Sequence, residues 1–553
     1  MRNKSTFLVA LSIFVASYVQ ASQDIYVSTS GNDTNLGTNI SPYATLAKAT
    51  SMVSEDGATI HVASGTYIFS NTAVLNPYTQ TIEGASAIST VFDGNNTVSL
   101  LDGFSTLHNS GKTITIKQLS FKNGSMTDVA NVKDGGAAIS IGVKTNLYLE
   151  DCVFEKNIAT STATGHAGAI YFCGNSITVN RCFFDQNTSA STGVQGYGGA
   201  ITVRHLFNTD NGTTHMVFGA TQAVIKNSTF YKNAAFSKGG AIYFNKQLDA
   251  KLDADDATFV VQNCTFLENT SSGGTTGTNS LQHGSAIALS SGSNSTNNKD
   301  QTIILTNNTF CNNAMLSAGS VSGKNAVLLE GFRYTAYLAN NLITSNASNG
   351  ESLYANQAAP MEYGMNNIID KINANINGTD FTTDATTKNN AVTTISATDL
   401  KLNSLLTGYP LVSTFSIPYL EVASGSSAIN GGTNSYLINT IANPAPAAAV
   451  EYILQSDILG TVIQNSTRDI GSFEFSTSTV VKNNIEDTHK MINESTGVRI
   501  THLNMNDKIA IYNVNGMLMY RKISTADQVL IPLVNKGLYV ISINGVAHRH
   551  YFK

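Results

Sequence analysis

Tryptophan is absent from this chain of 553 residues and proline occurs only eight times, so turns and polar surface fall to other residues. Charge is scarce as well: Asp, Glu, Lys and Arg make up 12%, well under the usual share of a globular protein. Lys and Arg number 32 against 37 Asp and Glu, a formal net charge of −5. Nucleic acid demands a clustered basic excess, and without one no nucleic-acid partner is expected. The five cysteines form no Cys-x-x-Cys pair and no His/Cys metal spacing. A nucleophile elbow, a phosphate loop and a paired-carboxylate motif are likewise missing. What fills the chain instead is Asn, Ser, Thr and Gly, over a hydrophobic fraction of 42% that argues for a packed core. The length would suit several ordinary domains unless internal repeats tie it into fewer.

The first residues read as an export signal. Arg2 and Lys4 precede an apolar run over 7–19, and Val19-Gln20-Ala21 supplies small residues for cleavage. The run is shorter than the roughly 20 residues of a membrane-spanning helix. A membrane anchor or a buried helix is the competing reading. With 1–21 removed, the mature chain has no span of its own and is expected outside the cytoplasm.

The middle of the chain is a repeat. One unit recurs as a strand, a turn residue, a small residue, then Phe-x-x-Asn: 147–157 (LYLEDCVFEKN), 177–187 (ITVNRCFFDQN), 223–233 (AVIKNSTFYKN), 259–269 (FVVQNCTFLEN) and 303–313 (IILTNNTFCNN). Looser copies lie at 114–123 and 338–346. A Gly-Gly-Ala-Ile element or its variant falls between them, at 135–139, 168–170, 198–201, 239–242 and 284–287. The motif phenylalanines are Phe121, Phe154, Phe184, Phe230, Phe266 and Phe310. Their uneven intervals imply a constant rung with loops of varying length. Period-two alternation puts Ile177, Val179, Cys182 and Phe184 on one face, with a one-residue bend at Arg181. The same bend falls on Gln118, Asp151, Asn227, Asn263, Asn307 and Asn340. Short strands joined by sharp bends describe a β-solenoid, whose coils bring like residues about 4.8 Å apart. Asn157, Asn187, Asn233, Asn269, Asn313 and Asn346 are then expected to form an amide ladder, a structural feature first. The expected fold is all-β: a right-handed parallel β-helix over 22–475 with an N-terminal capping helix, a linker over 476–497, and a small antiparallel β-sandwich over 498–553.

The two alternating motifs resemble the polymorphic outer-membrane-protein repeat of right-handed parallel β-helix proteins, over about 114–346. The run IYVSTSGNDTNLGT…SPYATLAKA…GATIHVASGTY is similar to the opening segment of many secreted β-helix proteins, some polysaccharide lyases among them. In it Ser41 and Pro42 would start the capping helix. Asp33 and Asn35 fit either a calcium site or a plain turn; no other cofactor is expected. YLEVASGSSAINGGTN and DIGSFEF resemble the closing segment of bacterial choice-of-anchor Q proteins. Strands around Asn515-Gly516 and the run GLYVISING…YFK resemble the C-terminal sorting domain of type IX secretion. That resemblance implies the type IX machinery as partner. It also implies a location outside a diderm cell, secreted or attached to the outer membrane.

Candidate chemistry is sparse. His166, Tyr197, Lys238 and His283 align just before the Gly-Ala-Ile elements, and fit either a ladder that binds glycan or a solvated row. Cys152, Cys182 and Cys264 share one inward position, which suits apolar packing or, for the first two, a disulfide between coils. No catalytic residue stands out. The leading expectation is a non-catalytic surface protein in adhesion or contact with a polysaccharide or cell-surface glycan. The alternative is a polysaccharide lyase or another glycan-active β-helix enzyme.

Overall fold

A computed structural model describes residues 23–372 apart from a series of loops, short stretches between 391 and 472, and most of 490–552. The export signal at 1–21, His166, His283 and Asn346 lie outside the described residues. Those described fall into two units, 1–475 and 476–553.

The first unit is a right-handed parallel β-helix. One coil shows the plan: Ser176–Asn180, Phe183–Asp185, Thr188–Ser191 and Ile201–Arg204 follow in chain order. Each pairs in parallel with its equivalents in the coils before and after. Stacking the coils gives a first sheet of 11 strands, a second of 11, a third of 9, and a short fourth sheet of 6. The register keeps like over like. Ile60, Ile82, Ile116, Leu149, Val179, Ile225, Val261, Leu305 and Leu338 form one inward row of the first sheet. Ile139, Ile170, Ile201, Ile242 and Ile287 form one in the third, unbroken through the coils whose glycine pattern departs from the rest.

In the second sheet the inward row is the motif phenylalanine. From Phe121 to Phe310 the rings lie parallel within 5°, their centroids 4.6–5.0 Å apart. All are fully buried. Burying a Phe side chain contributes about 1.5–3 kcal/mol, and each ring pair adds roughly 0.5–1.5 kcal/mol.

Two bends per coil turn the chain around this row. Gln118, Asp151, Arg181, Asn227, Asn263, Asn307 and Asn340 all take left-handed backbone, φ 51–60°, at the positions where the sequence pattern switches face. A second series, Asn123, Lys156, Gln186, Lys232, Glu268 and Asn312, was not legible in the sequence. Only Asn123 and Asn312 among these are of a type enriched in this region, and no change of face in the apolar pattern marks the position. At Gly199 the constraint is contact: a Cβ there would sit 2.1 Å from the Gly240 carbonyl oxygen.

The Asn ladder forms as expected from Asn157 to Asn313. Asn187 Nδ2 donates to Asn233 Oδ1 at 2.9 Å, and the same oxygen accepts from the Asn187 amide N–H at 3.0 Å. The other Nδ2 hydrogen goes to the Phe154 carbonyl at 2.9 Å. A second ladder, Asn308–Asn341–Asn367, runs beside it with 2.9 Å side-chain bonds. It continues the column of Cys152, Cys182 and Cys264, which are free thiols. Polar and thiol residues share one slot there: the amides bond along the axis, and the thiols donate to nearby carbonyls.

Both ends depart in detail from expectation. The capping helix is Leu46–Ser51, with Thr45 rather than Ser41 as N-cap: Thr45 Oγ1 accepts from the Lys48 amide at 3.1 Å. Ser41 and Pro42 cannot start it, because Tyr43 is held extended by bonds to the Tyr26 carbonyl and the Ser28 amide. Downstream, described residues within 418–432 and 468–472 lie against the outer face of the second sheet. Leu420 packs with Leu267 and Cys311, and Val422, Ala428 and Ile470 with Leu342 and Ile368. Arg468, fully buried, donates to Asn263 Oδ1 at 3.0 Å.

In the second unit the described residues form a three-stranded and a four-stranded antiparallel sheet. Its core is Val498, Ile500, Ile509, Ile511, Val529, Ile531, Ile541 and Ile543. It begins before 498: Lys490–Glu494, inside the expected linker, pairs with Gly497–Thr501. A stretch that polar was legible only through its partner strand.

Candidate functional site

The interior of the solenoid is filled by side chains, so any ligand must meet the outward rows and loops. Three places on the first unit gather chemistry.

On the outer face of the third sheet, Tyr243 stands on Ile242–Lys246. Its ring stacks on Tyr197 with centroids 4.3 Å apart and planes 13° from parallel. Asn245 Nδ2 donates to Tyr243 Oη at 2.6 Å. The Arg204 guanidinium lies 5.9 Å from the Tyr197 ring centre. Arg204, Asn245, Ser290 and Glu330 form one outward row, and Lys238 forms an ion pair with Glu330. Burial, with Tyr243 beside it, pushes the Tyr197 phenol up to about 12. Of the four residues expected as one ladder, two are thus described. Tyr197 belongs to an aromatic stack, and Lys238 to an ion pair on the same face.

The second place was missed in the sequence. Lys122, Glu155, Asp185 and Tyr231 form an outward row of the second sheet, one residue after each motif phenylalanine. Glu155 and Asp185 sit on paired strands, whose spacing is about 4.8 Å. Lys122 Nζ meets Glu155 at 2.6 Å and Lys156 Nζ meets it at 3.2 Å. Burial would raise the Glu155 pKa, but these lysines outweigh it and hold the carboxyl below its ordinary value. Asp185 goes the other way: burial raises it, and the Glu155 charge adds to that against a bond from Gln186. Asp185 Oδ1 is buried without a hydrogen-bond partner among the described residues. Aligning the repeat units on Phe would have shown the acids in one column.

The third place is the opening loop. Asp33 Oδ1 accepts from the amides of Ala44 and Thr45 at 2.9 Å, and Oδ2 from Thr45 Oγ1 at 2.8 Å. Asn35 Nδ2 donates to the Pro42 carbonyl at 2.8 Å. Both side chains tie the loop to the segment that enters the helix. Among the described residues no group of three or more His, Cys, Asp or Glu is placed to hold a metal ion.

The fold defines a parallel β-helix protein. No family model matches the chain, and no curated protein matches it. Solved structures similar to it include pectate lyase Pel9A, at 14% identity over 83% of this chain and 98% of that one, TM-score 0.38. XylC in complex with xylose is similar at 10% identity over 82% of this chain and 98% of that one, TM-score 0.37. A rhamnogalacturonan lyase is similar at 14% identity over 63% and 87% respectively, TM-score 0.28.

Proposed function

We propose that this chain is an exported β-helix protein that holds glycan against its outward rows without turning it over, delivered outside a diderm cell by type IX secretion. The observation that carries the glycan reading is the outer face of the third sheet. There the partly exposed Tyr197 ring, backed by the buried Tyr243, lies beside planar polar groups on Arg204 and Asn245. Rings of this kind pack against sugar C–H faces, while amides and guanidinium bond hydroxyls. The acid of this face, Glu330, is paired with Lys238, which suits binding better than proton transfer. Titrating the mature chain against a panel of polysaccharides in affinity gels tests this. Retardation that Tyr197→Ala weakens, with no product released, is expected; release of unsaturated products absorbing at 235 nm would overturn it. The delivery reading rests on the sequence resemblance of the C-terminal unit. Deleting 476–553 should trap the chain in the periplasm.

A second reading is favoured by Glu155 and Asp185. Neighbouring carboxyls with pKa values pushed apart are what acid and nucleophile roles in glycoside cleavage require, and retaining enzymes hold them about 5–5.5 Å apart. Hydrolysis of an oligosaccharide that Asp185→Asn abolishes would establish it. An inert panel would return the pair to a structural role.

A further inference from the structure

A cavity of about 580 Å³ lies on the first sheet where its outward row begins, walled by the loop 28–42. Its floor is the row Tyr26–His61–Glu83, in register on three successive strands. The rings of Tyr26 and His61 are stacked 4.8 Å apart and 24° from parallel. Ile40, Pro42, Ala63 and Ala85 give it apolar walls. Ile40 is 96% exposed and gives the cavity an apolar edge open to a ligand.

The polar groups of this cavity are only partly used. His61 Nε2 bonds Asp24 Oδ1 at 3.0 Å. Glu83 Oε2 meets Lys117 Nζ at 3.1 Å. Among the described residues the Tyr26 hydroxyl, Glu83 Oε1 and the Asn39 amide make no hydrogen bond. An aromatic floor, small apolar walls and a few spare directional groups are the ingredients of a small-ligand site. We infer that this cavity is a binding subsite for a neutral sugar ring of a glycan chain. The ring's C–H face would lie on Tyr26 and Ile40, and its hydroxyls would reach Glu83 and Asn39. Charge selects the ligand. Two carboxylates stand against one permanent cation, Lys117, so a uronate would meet net repulsion. The inference rests on the glycan-contact reading but uses a different face from Tyr197.

The test is calorimetric titration of the mature chain with xylotetraose, cellotetraose, mannotetraose and tetragalacturonate, alongside Tyr26→Ala, Glu83→Gln, Ala85→Phe and Tyr197→Ala. At least one neutral probe should bind, with tetragalacturonate weaker. Tyr26→Ala should weaken binding about tenfold, the scale of a lost ring contact. Ala85→Phe, which fills an exposed wall without touching the core, should block it. Glu83→Gln should weaken it while leaving thermal unfolding in place, so the result does not hang on one variant folding. Tyr197→Ala should leave this binding unchanged. Binding undiminished in the three cavity variants, or preference for the uronate, overturns the subsite. Loss in Tyr197→Ala alone overturns it while keeping glycan contact, and no binding by any of these probes overturns the subsite while the polysaccharide gels decide the glycan reading separately.

Discussion

Replacing Asn233 tests whether the amide ladder is a stabilising element or an accompaniment to the coil. Asn233 is fully buried. Its Oδ1 accepts from the Asn187 amide at 3.0 Å and from Asn187 Nδ2 at 2.9 Å. Its Nδ2 donates to the Phe184 carbonyl and to Asn269 Oδ1, each at 3.0 Å. In Asn233→Leu two donors lose their partner inside the wall, the Asn187 amide and one Asn187 Nδ2 hydrogen, while the Phe184 carbonyl keeps its ladder bond from the paired strand. At about 1–3 kcal/mol each the loss is about 2–6 kcal/mol, less about 1–2 kcal/mol returned by burying the new apolar side chain. Asn269 Oδ1 keeps its bond from the Asn233 amide at 3.0 Å and is spared. Asn233→Asp sharpens the test. Its carboxylate would face the acceptors Phe184 O and Asn269 Oδ1, so its folded pKa must lie above the unfolded value of about 3.9. A raised folded pKa means that the folded state holds the proton longer. The penalty is therefore small below about pH 4 and grows towards neutral pH. Urea denaturation of the mature chain, with hydrogen exchange resolved over 223–271, reads both. Coils of a solenoid open locally, so the exchange of these strands should rise before global unfolding. A cost under about 1 kcal/mol for Asn233→Leu would refute the ladder as a source of stability, as would a pH-independent Asn233→Asp.

The remaining predictions are shorter. Phe230→Ala, which breaks a ring stack spaced 4.7 Å and 4.8 Å on its two sides, should cost about 3–5 kcal/mol in the same denaturation assay. At the bend, Asn227 has φ 51° and its side-chain amide bonds Asn180 and Asn263; both variants lose those bonds, and Asn227→Val should destabilise by about 1–2 kcal/mol more than Asn227→Gly. Glu155 and Asp185 should show opposite pH dependence. Glu155 is held below its ordinary pKa, so its contribution is present above about pH 4.5 and is lost as pH falls through the folded value. Asp185 is raised, so Asp185→Asn should raise the unfolding midpoint at pH 7 and lose that advantage near pH 4.

Much of the solenoid could be read from residue order. The alternation through Ile177, Val179, Cys182 and Phe184 named the buried faces, and all four are fully buried. The side switch named Arg181 and its equivalents as bends, and their backbone is left-handed. Where the sequence signal failed, another residue type did the same job. Lys156, Gln186, Lys232 and Glu268 occupy left-handed bends without being Asn or Gly, because stacked coils on either side over-determine them. Thr45 caps the first helix instead of Ser41 because strand-like bonds at Tyr43 take the chain past Pro42 before it can coil.

The sequence alone determined much of the rung: which residues face inward, where the chain makes the first of its two turns, and which side chains repeat along the axis. Those features are local and periodic, so one coil specifies the next. The meetings on the outside were decided only by the tertiary structure. Lys238 reaches Glu330 across 92 residues. Tyr197 comes beside Tyr243, and the loop 28–42 walls a cavity over His61 and Glu83. The physical reason is that loops of unequal length separate the rungs, while hydrogen bonding fixes the register of the strands. Outward neighbours are thus set by stacking, and no period in the outward residues announces them.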